Sequence, residues 1–434
     1  MTNILNWPEY KVLQVKELEH DYQIHAEVES PPRRCINCQS SNLVGFGRRE
    51  EVILDTPIHG KRAGIWVDRR RYQCRDCSRT FYEPLPHRDE KRLLTTRLIS
   101  YIEKQSLCRT FASLAEETGL DEKTIRNVFR DYVNRLEKKV RFEVPRWMGI
   151  DEIHIIKKPR CVISNIEQRT LVDILPNRNK PTVIKYLSAL KGLDKIQCVA
   201  MDMWRPYRDA VTECIPHARI IVDKFHIIRM ANDAMERTRK DLRASLSAKQ
   251  RRGLMRERFV LLKRRGDLSM PEEISFSSWT KNFPVLGEAY ALKESFYGIW
   301  DNQNRSQAEK ACLAWKAEIS PKLQPHFAPL LTAIDNWWDE IFNYFEHPIT
   351  NAYTESLNSL IRVMNRLGRG YSFDALRAKI LFTEGIQKVK RPNYRRQPLP
   401  AAAFGRSVAV PLPEPINYGA DISTIAQLLG GEDF

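Results

Sequence analysis

Three runs of strand-forming residues occupy the stretch WMGIDEIHIIKKPRCVISNIEQRTLVDIL, residues 147–175. Tight polar breaks separate the runs, as expected for strands joined by short turns. A helical pattern follows at about residues 181–191, then a strand at 196–201, a helix at 206–214 and a strand at 219–222. The order βββαβαβ predicts a mixed β-sheet with helices on both faces.

This order is that of the ribonuclease H-like fold, in which the fourth strand lies directly beside the first. Asp151 lies in the middle of the first strand, where a carboxylate is costly unless it binds something. Asp202 ends the fourth strand, so we expect the two carboxylates to approach one another. A divalent cation removes their mutual repulsion and supplies the Lewis acid that phosphodiester chemistry needs. Mg²⁺ prefers oxygen ligands and retains several waters, so two or three acids suffice; Mn²⁺ is the alternative ion.

A third acidic ligand is expected on a helix that packs against the sheet after its last strand. Glu355 fits this position, because it lies in the helical segment Thr350–Arg362. The apolar residues of that segment share one face, and polar residues of helix-capping type precede it. Asp151, Asp202 and Glu355 are therefore the predicted magnesium ligands and catalytic acids.

The chain between Asp202 and Glu355 is too long for one crossover connection. Most of it, at about residues 224–346, has helical patterns rich in Arg, Lys and Trp, which predicts an α-helical insertion in the catalytic domain. We expect its tryptophans in the core, because Trp at helical spacing usually packs. Trp204, two residues after Asp202, is the better candidate for stacking on an unpaired base.

Two CxxC pairs precede this region, and their spacing is that of a zinc site. Each two-residue gap lets two thiolates reach one ion at tetrahedral angles. The predicted ligands are Cys35, Cys38, Cys74 and Cys77. The 35 residues between the pairs contain strand patterns, which predicts a long β-hairpin. Arg69–Arg71, beside the second pair, is either a phosphate contact or a solvated strand end, and the five other cysteines are expected to be core or surface residues.

A helix-turn-helix is predicted from the segment RTFASLAEETGLDEKTIRNVFRDYV, which begins at Arg109. Gly119 ends the first helix and Asp121 caps the second. The outward side chains of the second helix are of the types that contact phosphates and base edges in a major groove. These predicted DNA-binding residues are Lys123, Thr124, Arg126, Asn127 and Arg130. A solvated helix face is the alternative interpretation.

The 434 residues carry a formal net charge of +16, which favours a polyanionic partner. Two basic blocks hold this charge: residues 224–265 contain fourteen Lys and Arg against four Asp and Glu, and residues 362–396 contain ten against two. The composition excludes a small disulfide-stapled scaffold and a disordered chain, and no apolar run reaches the ~20 residues of a membrane span. The first ten residues lack the pattern of a secretory signal, so we expect a cytoplasmic, nucleoid-associated protein.

In this order the motifs resemble one family, the DDE transposases of the ISL-three group of bacterial insertion sequences, over nearly the whole chain. The matching blocks are the two CxxC pairs, the helix-turn-helix, Gly149–Glu152, Ala200–Trp204, Val222–His226 and Asn351–Asn358. The resemblance implies the same three catalytic acids, and its Asp-x-x-His element falls on Asp223 and His226. These two residues orient DNA, a water or a metal, or form a structural hydrogen-bonded pair. Gln39 and Ser78 depart from the glycines that CxxC turns often use.

The expected function is a DNA transposase that binds the terminal inverted repeats of an insertion sequence and catalyses Mg²⁺-dependent strand cleavage and strand transfer, with at least a dimer pairing two ends. Two alternatives remain, a DNA-binding regulator that has lost its metal and a structure-specific nuclease on the same fold. The predicted domains are a zinc module (1–88), a helix-turn-helix domain (89–142), a catalytic domain (143–396) and a C-terminal tail (397–434).

Overall fold

A computed structural model describes residues 4–139, 144–368 and 370–384. These residues form two compact units: residues 4–139, 367–368 and 370–383 belong to the first, and residues 144–366 belong to the second. The predicted tail, 397–434, and the last part of the predicted catalytic domain lie outside the described residues. No helix within the described part of the chain is long and apolar enough to cross a membrane.

The first unit begins with a five-stranded sheet. Its strands are β1 (Tyr10–Glu17), β2 (Asp21–Val28), β3 (Leu43–Ile58), β4 (Lys61–Cys74) and β5 (Thr80–Tyr82). The strand order is β1-β2-β4-β3, and β5 pairs with β4. The antiparallel strands β3 and β4 are the predicted long hairpin between the cysteine pairs. His59 and Gly60 close it with φ angles of 50° and 79°, the left-handed conformation that two-residue hairpin turns require.

The hairpin of β1 and β2 was not predicted, although β2 carries a readable signal. Its residues alternate between buried and partly exposed along the whole strand, so Ile24 and Val28 face the core. This is the period of two that a half-buried strand shows. Strand β1 lacks such a pattern, because most of its residues are exposed.

Helices complete the first unit. They are α1 (Thr96–Cys108), α2 (Phe111–Thr118), α3 (Glu122–Lys139) and, from the end of the described chain, α15 (Phe373–Glu384). Gly119 ends α2 in the left-handed conformation, and Asp121 accepts hydrogen bonds from the Thr124 backbone N–H and hydroxyl at 2.8 and 2.7 Å. The predicted helix-turn-helix is therefore confirmed with both of its local signals.

Residues 370–383 pack in the first unit, whereas the sequence placed them in the catalytic domain. One contact that holds them there is that of the Tyr371 ring with Phe111.

The second unit contains the predicted mixed sheet. Its strands are β6 (Trp147–Ile155), β7 (Lys158–Asn165), β8 (Thr170–Leu175), β9 (Cys198–Met201) and β10 (Arg219–Val222). Helices α4 (Lys180–Ala189) and α5 (Arg205–Cys214) connect the later strands. The strand order is β10-β9-β6-β7-β8, with β6, β9 and β10 parallel and β7 antiparallel to both of its neighbours. The βββαβαβ order and the ribonuclease H-like placement of the fourth strand beside the first are confirmed.

A helical layer follows β10, as predicted. Its helices are α6 (Lys224–Leu242), α7 (Ala248–Arg256), α8 (Arg258–Leu262), α9 (Met270–Asn282), α10 (Pro284–Gly298), α11 (Arg305–Glu318), α12 (Gln324–Asn336) and α13 (Trp338–Phe342), and α14 (Ala352–Leu367) comes next. Trp315 and Trp337 are buried in the core of this layer, and Trp279, Trp300 and Trp338 pack against it. The predicted core position of these tryptophans is confirmed.

Candidate metal centres

Asp151 lies at the centre of the second sheet, on β6 between β7 and β9. The residue is 5% exposed. One carboxylate oxygen, Oδ1, accepts a 2.7 Å hydrogen bond from the Glu152 backbone N–H, and the other accepts one of 2.7 Å from Asn358 Nδ2. Burial, and next the neighbouring charge of Asp202, raise the pKa of Asp151 to about 8. The strand therefore presents a buried acid whose ionised form needs a compensating positive charge.

Two more acids follow the adjacent parallel strands, where their carboxyl ends meet at one edge of the sheet. Asp202 comes directly after β9, and Asp223 comes directly after β10. Burial raises the pKa of both carboxyls. Asp202 Oδ1 and Asp223 Oδ2 are buried and have no hydrogen-bond partner among the described residues. Buried polar atoms without partners are rare in proteins, so this edge of the sheet has the character of a ligand site.

Glu355 reaches the same place from the first turn of α14. This helix packs closely on β6 because Gly149 has no side chain: a Cβ atom there would collide with the side chains of Asn351, Ser164 and Thr354. Asn351 Nδ2 donates to the Ile150 carbonyl oxygen at 3.1 Å, which attaches the start of α14 to the strand.

Burial is the main cause that raises the pKa of Glu355, and the negative charges of the nearby Asp223 and Asp151 raise it further. Together they raise the pKa of Glu355 to about 9. Arg229 and Arg362 act in the opposite direction. The acids from three separate elements thus influence each other's ionisation, which is the electrostatic signature of one shared site.

His226 is in the first turn of α6, and its Nε2 atom lies 3.5 Å from Glu355 Oε1. One ligand atom from each of Asp223, His226 and Glu355 lies within 4.8 Å of the others. The structure therefore brings all five residues of the predicted catalytic set to one site. Asp151 and Asp202 join this trio through their charges, which act on one another and on Glu355 or His226.

The four cysteines of the two CxxC pairs form a second cluster, in the first unit. The Sγ atoms of Cys35 and Cys77 are 3.7 Å apart, and those of Cys38 and Cys74 are 3.6 Å apart. Four thiolates at about 2.3 Å from one zinc ion would be about 3.8 Å from each other in a tetrahedron, so the observed spacing fits Zn²⁺. None of the four is in a disulfide. We conclude that the cluster is a structural zinc site, as predicted.

Both cysteine turns use a left-handed residue directly after the second cysteine. Gln39 has φ 61° and Ser78 has φ 58°, so these non-glycine residues adopt the backbone conformation that glycine would provide. Asp76 in the second turn accepts hydrogen bonds from the Ser40 hydroxyl and from Asn42 Nδ2, which ties the two turns together.

The three arginines beside the second cysteine pair are engaged within the module. Arg69 pairs with Glu51 at 2.9 Å, Arg70 pairs with the fully buried Glu83 at 3.1 Å, and Arg71 donates to the Thr80 hydroxyl. These half-buried guanidinium groups pair with acids and a hydroxyl of neighbouring strands, which argues against a solvated strand end; the phosphate contact stays a prediction.

Helix α3 presents the residues predicted to contact DNA. Lys123, Arg126 and Arg130 are exposed, and Thr124 and Asn127 are half-buried. Thr124 takes part in the cap of the helix, as described above. Arg126 pairs with Glu122, and Arg130 Nη2 donates to Asn127 Oδ1 at 3.1 Å. Lys123 has no such partner among the described residues, which leaves its charge available.

A groove of about 520 Å³ runs between α3 and α15. Arg126, Asn127 and Arg130 line it from α3, and Asp374 and Arg377 line it from α15. Arg377 pairs with Glu137 at 3.0 Å. Helix α15 is therefore a direct neighbour of the predicted DNA-contacting face, which the sequence did not indicate.

Comparison with known families agrees with the architecture. A family model described as a transposase, that of the DDE domain of the ISL3 group, matches residues 148–380. The chain belongs to the ISL3 family of DDE transposases. The zinc-finger model of the transposases IS204, IS1001, IS1096 and IS1165 matches residues 31–77 of this transposase, and the helix-turn-helix model of the ISL3 family matches residues 83–133.

Individual relatives of the transposase are distant. The transposase for insertion sequence element IS1001 of Bordetella parapertussis is 22% identical over 326 residues, which cover 74% of this chain and 80% of that protein. The transposase for insertion sequence element IS1557 of Mycobacterium tuberculosis is 26% identical over 291 residues, which cover 60% of this chain and 65% of that protein.

Two side chains of the transposase site received no role from the sequence. Asn351 and Asn358 were quoted only as part of a motif, yet both hold α14 against β6 at Asp151. Their spacing was a usable signal: they lie four residues before and three residues after Glu355, so all three share one helix face.

Trp204, the predicted base-stacking residue, lies at the start of α5 beside Asp202. The guanidinium of Arg178 lies over its ring at 4.3 Å, and Arg178 also pairs with Glu152. The Trp204 Nε1 atom is buried without a hydrogen-bond partner among the described residues. Arg178 therefore occupies one face of the indole, and its base-stacking role stays a prediction.

Proposed function

We propose that this transposase binds the ends of its insertion sequence and catalyses metal-dependent strand cleavage and strand transfer with Asp151, Asp202 and Glu355. The observation that carries the proposal is the convergence of these three acids from β6, β9 and α14, of which Asp151 is buried and Asp202 and Glu355 are half-buried. Holding such carboxylates together without a cation costs free energy, because each ionised form is desolvated and repelled by the others.

The three residues fit a Mg²⁺ or Mn²⁺ site by the chemistry of their donors. All are carboxylates, which hard divalent cations prefer, and the Asp202 Oδ1 atom has no hydrogen-bond partner in the described part of the chain. When bound, such ions polarise a scissile phosphate and lower the pKa of an attacking water or 3′-hydroxyl. The protein's own contribution is to fix the carboxylates: the strands fix two of them, and Asn358 orients Asp151.

In this proposal the first unit recognises the DNA. The zinc site stabilises the β-hairpin of the first unit. Helix α3 contacts DNA through Lys123, Thr124, Arg126, Asn127 and Arg130. Trp204 stacks on a base that is unpaired near the cleaved end. Two element ends must be paired for transposition, so the active complex is a dimer or a higher oligomer, acting on the chromosome in the cytoplasm. In this proposal the zinc module (1–88) and the helix-turn-helix domain (89–142) serve DNA recognition, and the catalytic domain (143–396) carries out cleavage and strand transfer.

Labelled duplexes that carry the element's own ends, incubated with Mg²⁺ and an unlabelled target, test this function. We expect nicked ends and joined products with the wild-type protein. Both should be lost in Asp151→Asn while end binding persists, and Asp209→Asn, an exposed acid on α5, is the matched control.

Other outcomes select the alternatives. Tight end binding without metal-dependent cleavage by the wild type indicates a DNA-binding regulator. Cleavage without joining indicates a nuclease. Either result contradicts the proposed function.

A further inference from the structure

We propose that Asp223, His226 and Glu355 form a divalent-cation site of mixed nitrogen and oxygen donors, distinct in its chemistry from the Asp151 and Asp202 pair. The inference rests on the proposed function, because Glu355 is common to both sets. It assigns His226 as a metal ligand and not as a structural hydrogen-bonding residue.

The spacing of the donor atoms supports a shared ion. Ligands at about 2.0–2.2 Å from one metal are about 3.0–3.5 Å apart when their bonds meet at octahedral or tetrahedral angles. The 3.5 Å between His226 Nε2 and Glu355 Oε1 lies in this range. All three donors lie within 4.8 Å of one another, so only a small movement would place them around one ion.

Two atoms that could bind a metal ion take no part in the hydrogen bonding at the site. Asp223 is only 1% exposed, and its Oδ1 atom caps α6 by accepting from the Phe225 backbone N–H at 3.3 Å. Its Oδ2 atom and the His226 Nε2 atom are buried and have no hydrogen-bond partner among the described residues. An acid buried to this degree, with a free oxygen beside an imidazole nitrogen, is an incomplete arrangement that a cation would complete.

The rival interpretation is a protonated His226 that neutralises Glu355 as an ion pair. Positive charge is already present around these acids, since Arg229 and Arg362 act on Glu355, and His226 and then Lys224 act on Asp223. An ion pair with Glu355 would still leave Asp223 Oδ2 without a hydrogen-bond partner among the described residues. A cation bound by all three residues satisfies both unused donors, and we therefore favour it.

The donor set also predicts a metal preference. An imidazole nitrogen favours first-row transition ions over Mg²⁺, which prefers oxygen ligands. Mn²⁺ is a suitable probe because it replaces Mg²⁺ at carboxylates and is paramagnetic. We expect this transposase to bind Mn²⁺ at least about tenfold more tightly than Mg²⁺, and we expect this preference to become smaller in His226→Gln.

Pulsed electron paramagnetic resonance of Mn²⁺ bound to the full-length, zinc-loaded protein tests the inference. We expect a ¹⁴N hyperfine coupling in the wild type that is absent from His226→Gln and retained in His217→Gln, an exposed histidine of the same unit. Labelling the wild type with ¹⁵N-histidine should convert the coupling to that of ¹⁵N, a measurement that needs no substitution. Bound Mn²⁺ without nitrogen coupling, or coupling that persists in His226→Gln, would overturn the proposal.

The two proposals fail in different ways. Metal-dependent cleavage and joining without nitrogen coupling would refute the role of His226 and leave the proposed function standing. Nitrogen coupling that depends on His226, in a protein that does not cut element ends, would refute the function and leave the metal site standing.

Discussion

Asn358 Nδ2 donates a 2.7 Å hydrogen bond to Asp151 Oδ2 across a separation of 207 residues in the chain. Asn358 lies one turn after Glu355 on α14. A single helix therefore supplies one acid of the site and also the amide that orients another acid. Because the Glu152 backbone N–H binds the other Asp151 oxygen, both oxygens of Asp151 are held in fixed directions.

Replacing Asn358 should weaken metal binding without removing a ligand. Partners that orient metal ligands typically contribute 10–100-fold to affinity or activity, so we expect Asn358→Ala to lower Mn²⁺ affinity and end cleavage by about that factor. Asn358→Asp should be worse, because a carboxylate would then face Asp151. Isothermal titration with Mn²⁺ measures the effect, and Ser356→Ala, an exposed residue of the same helix, is the control. Unchanged affinity in Asn358→Ala would show that Asp151 does not need this partner.

The metal-free protein should lose stability as the pH rises. The pKa of Glu355 is raised to about 9 in the folded state, whereas an unfolded Glu titrates near 4.3. Between these values the folded state binds more protons than the unfolded state, so the free energy of unfolding falls from about pH 4 to about pH 9.

Glu355→Gln tests this assignment of the pH dependence. In buffer without added Mg²⁺ or Mn²⁺, with the structural zinc retained, the variant at pH 7 should be more stable than the wild type by at least about 1 kcal/mol, or roughly 2–4 °C in Tm, and its pH slope should be shallower. Thermal unfolding between pH 5 and 9 measures both quantities, with the exposed Glu318→Gln as the control. Parallel pH profiles of Glu355→Gln and the wild type would contradict the prediction.

Loss of one zinc ligand should unfold the first sheet locally. Cys74→Ser removes a buried thiolate at the end of β4, and structural zinc sites commonly contribute much of the stability of small modules. We expect bound zinc to fall from one ion per chain to none and DNA end binding to be lost. Elemental analysis and a binding assay measure this, and Cys108→Ser, an exposed cysteine, should change neither.

Lys123 should contribute one phosphate contact. Its ammonium group is exposed at the start of α3 and is free to pair with DNA. Lys123→Ala should weaken binding to any duplex about equally and reduce the slope of log affinity against log salt by about 1. Lys138→Ala, exposed at the opposite end of α3, provides the matched loss of charge. Equal slopes for the two variants would remove Lys123 from the interface.

Helix α7 should add non-specific DNA affinity from the second unit. Arg251 and Arg252 are exposed and have no acidic partner among the described residues, and they lie within the basic block 224–265. Replacing both by Ala should lower affinity for long non-specific duplexes and reduce the salt slope by about 2. The double variant Lys310→Ala and Lys322→Ala removes the same charge from exposed positions of α11 and the following turn, and it should have a smaller effect. A reversed order of effects would place the DNA elsewhere.

Signals that lie close together in the chain could be read from the sequence. The βββαβαβ order follows from local hydrophobic periodicity, the zinc ligands from a two-residue gap, and the second helix of the helix-turn-helix from Gly119 and Asp121. Asp151, Asp202 and Glu355 could be proposed because each stands out in its own element: a charge in an apolar strand, an acid at a strand end, and an acid on an amphipathic helix.

Other features were decided only by tertiary contacts between distant segments. Strand β1 could not be recognised, because it forms by pairing with β2 and has no buried pattern of its own. The partners of Arg69–Arg71 come from β3, β5 and the residue after β5, so local charge suggested a free surface. Residues 370–383 join the first unit through contacts with Phe111, far away in the sequence.

The sequence by itself determined most of the elements and singled out the candidate acids, because helices, strands and CxxC turns depend on neighbours within a few residues. Only the tertiary structure decided which side chains complete the site. Gly149 allows α14 to approach the sheet, Asn358 reaches Asp151, and His226 meets Glu355, and each of these depends on a distance between elements that no local pattern encodes.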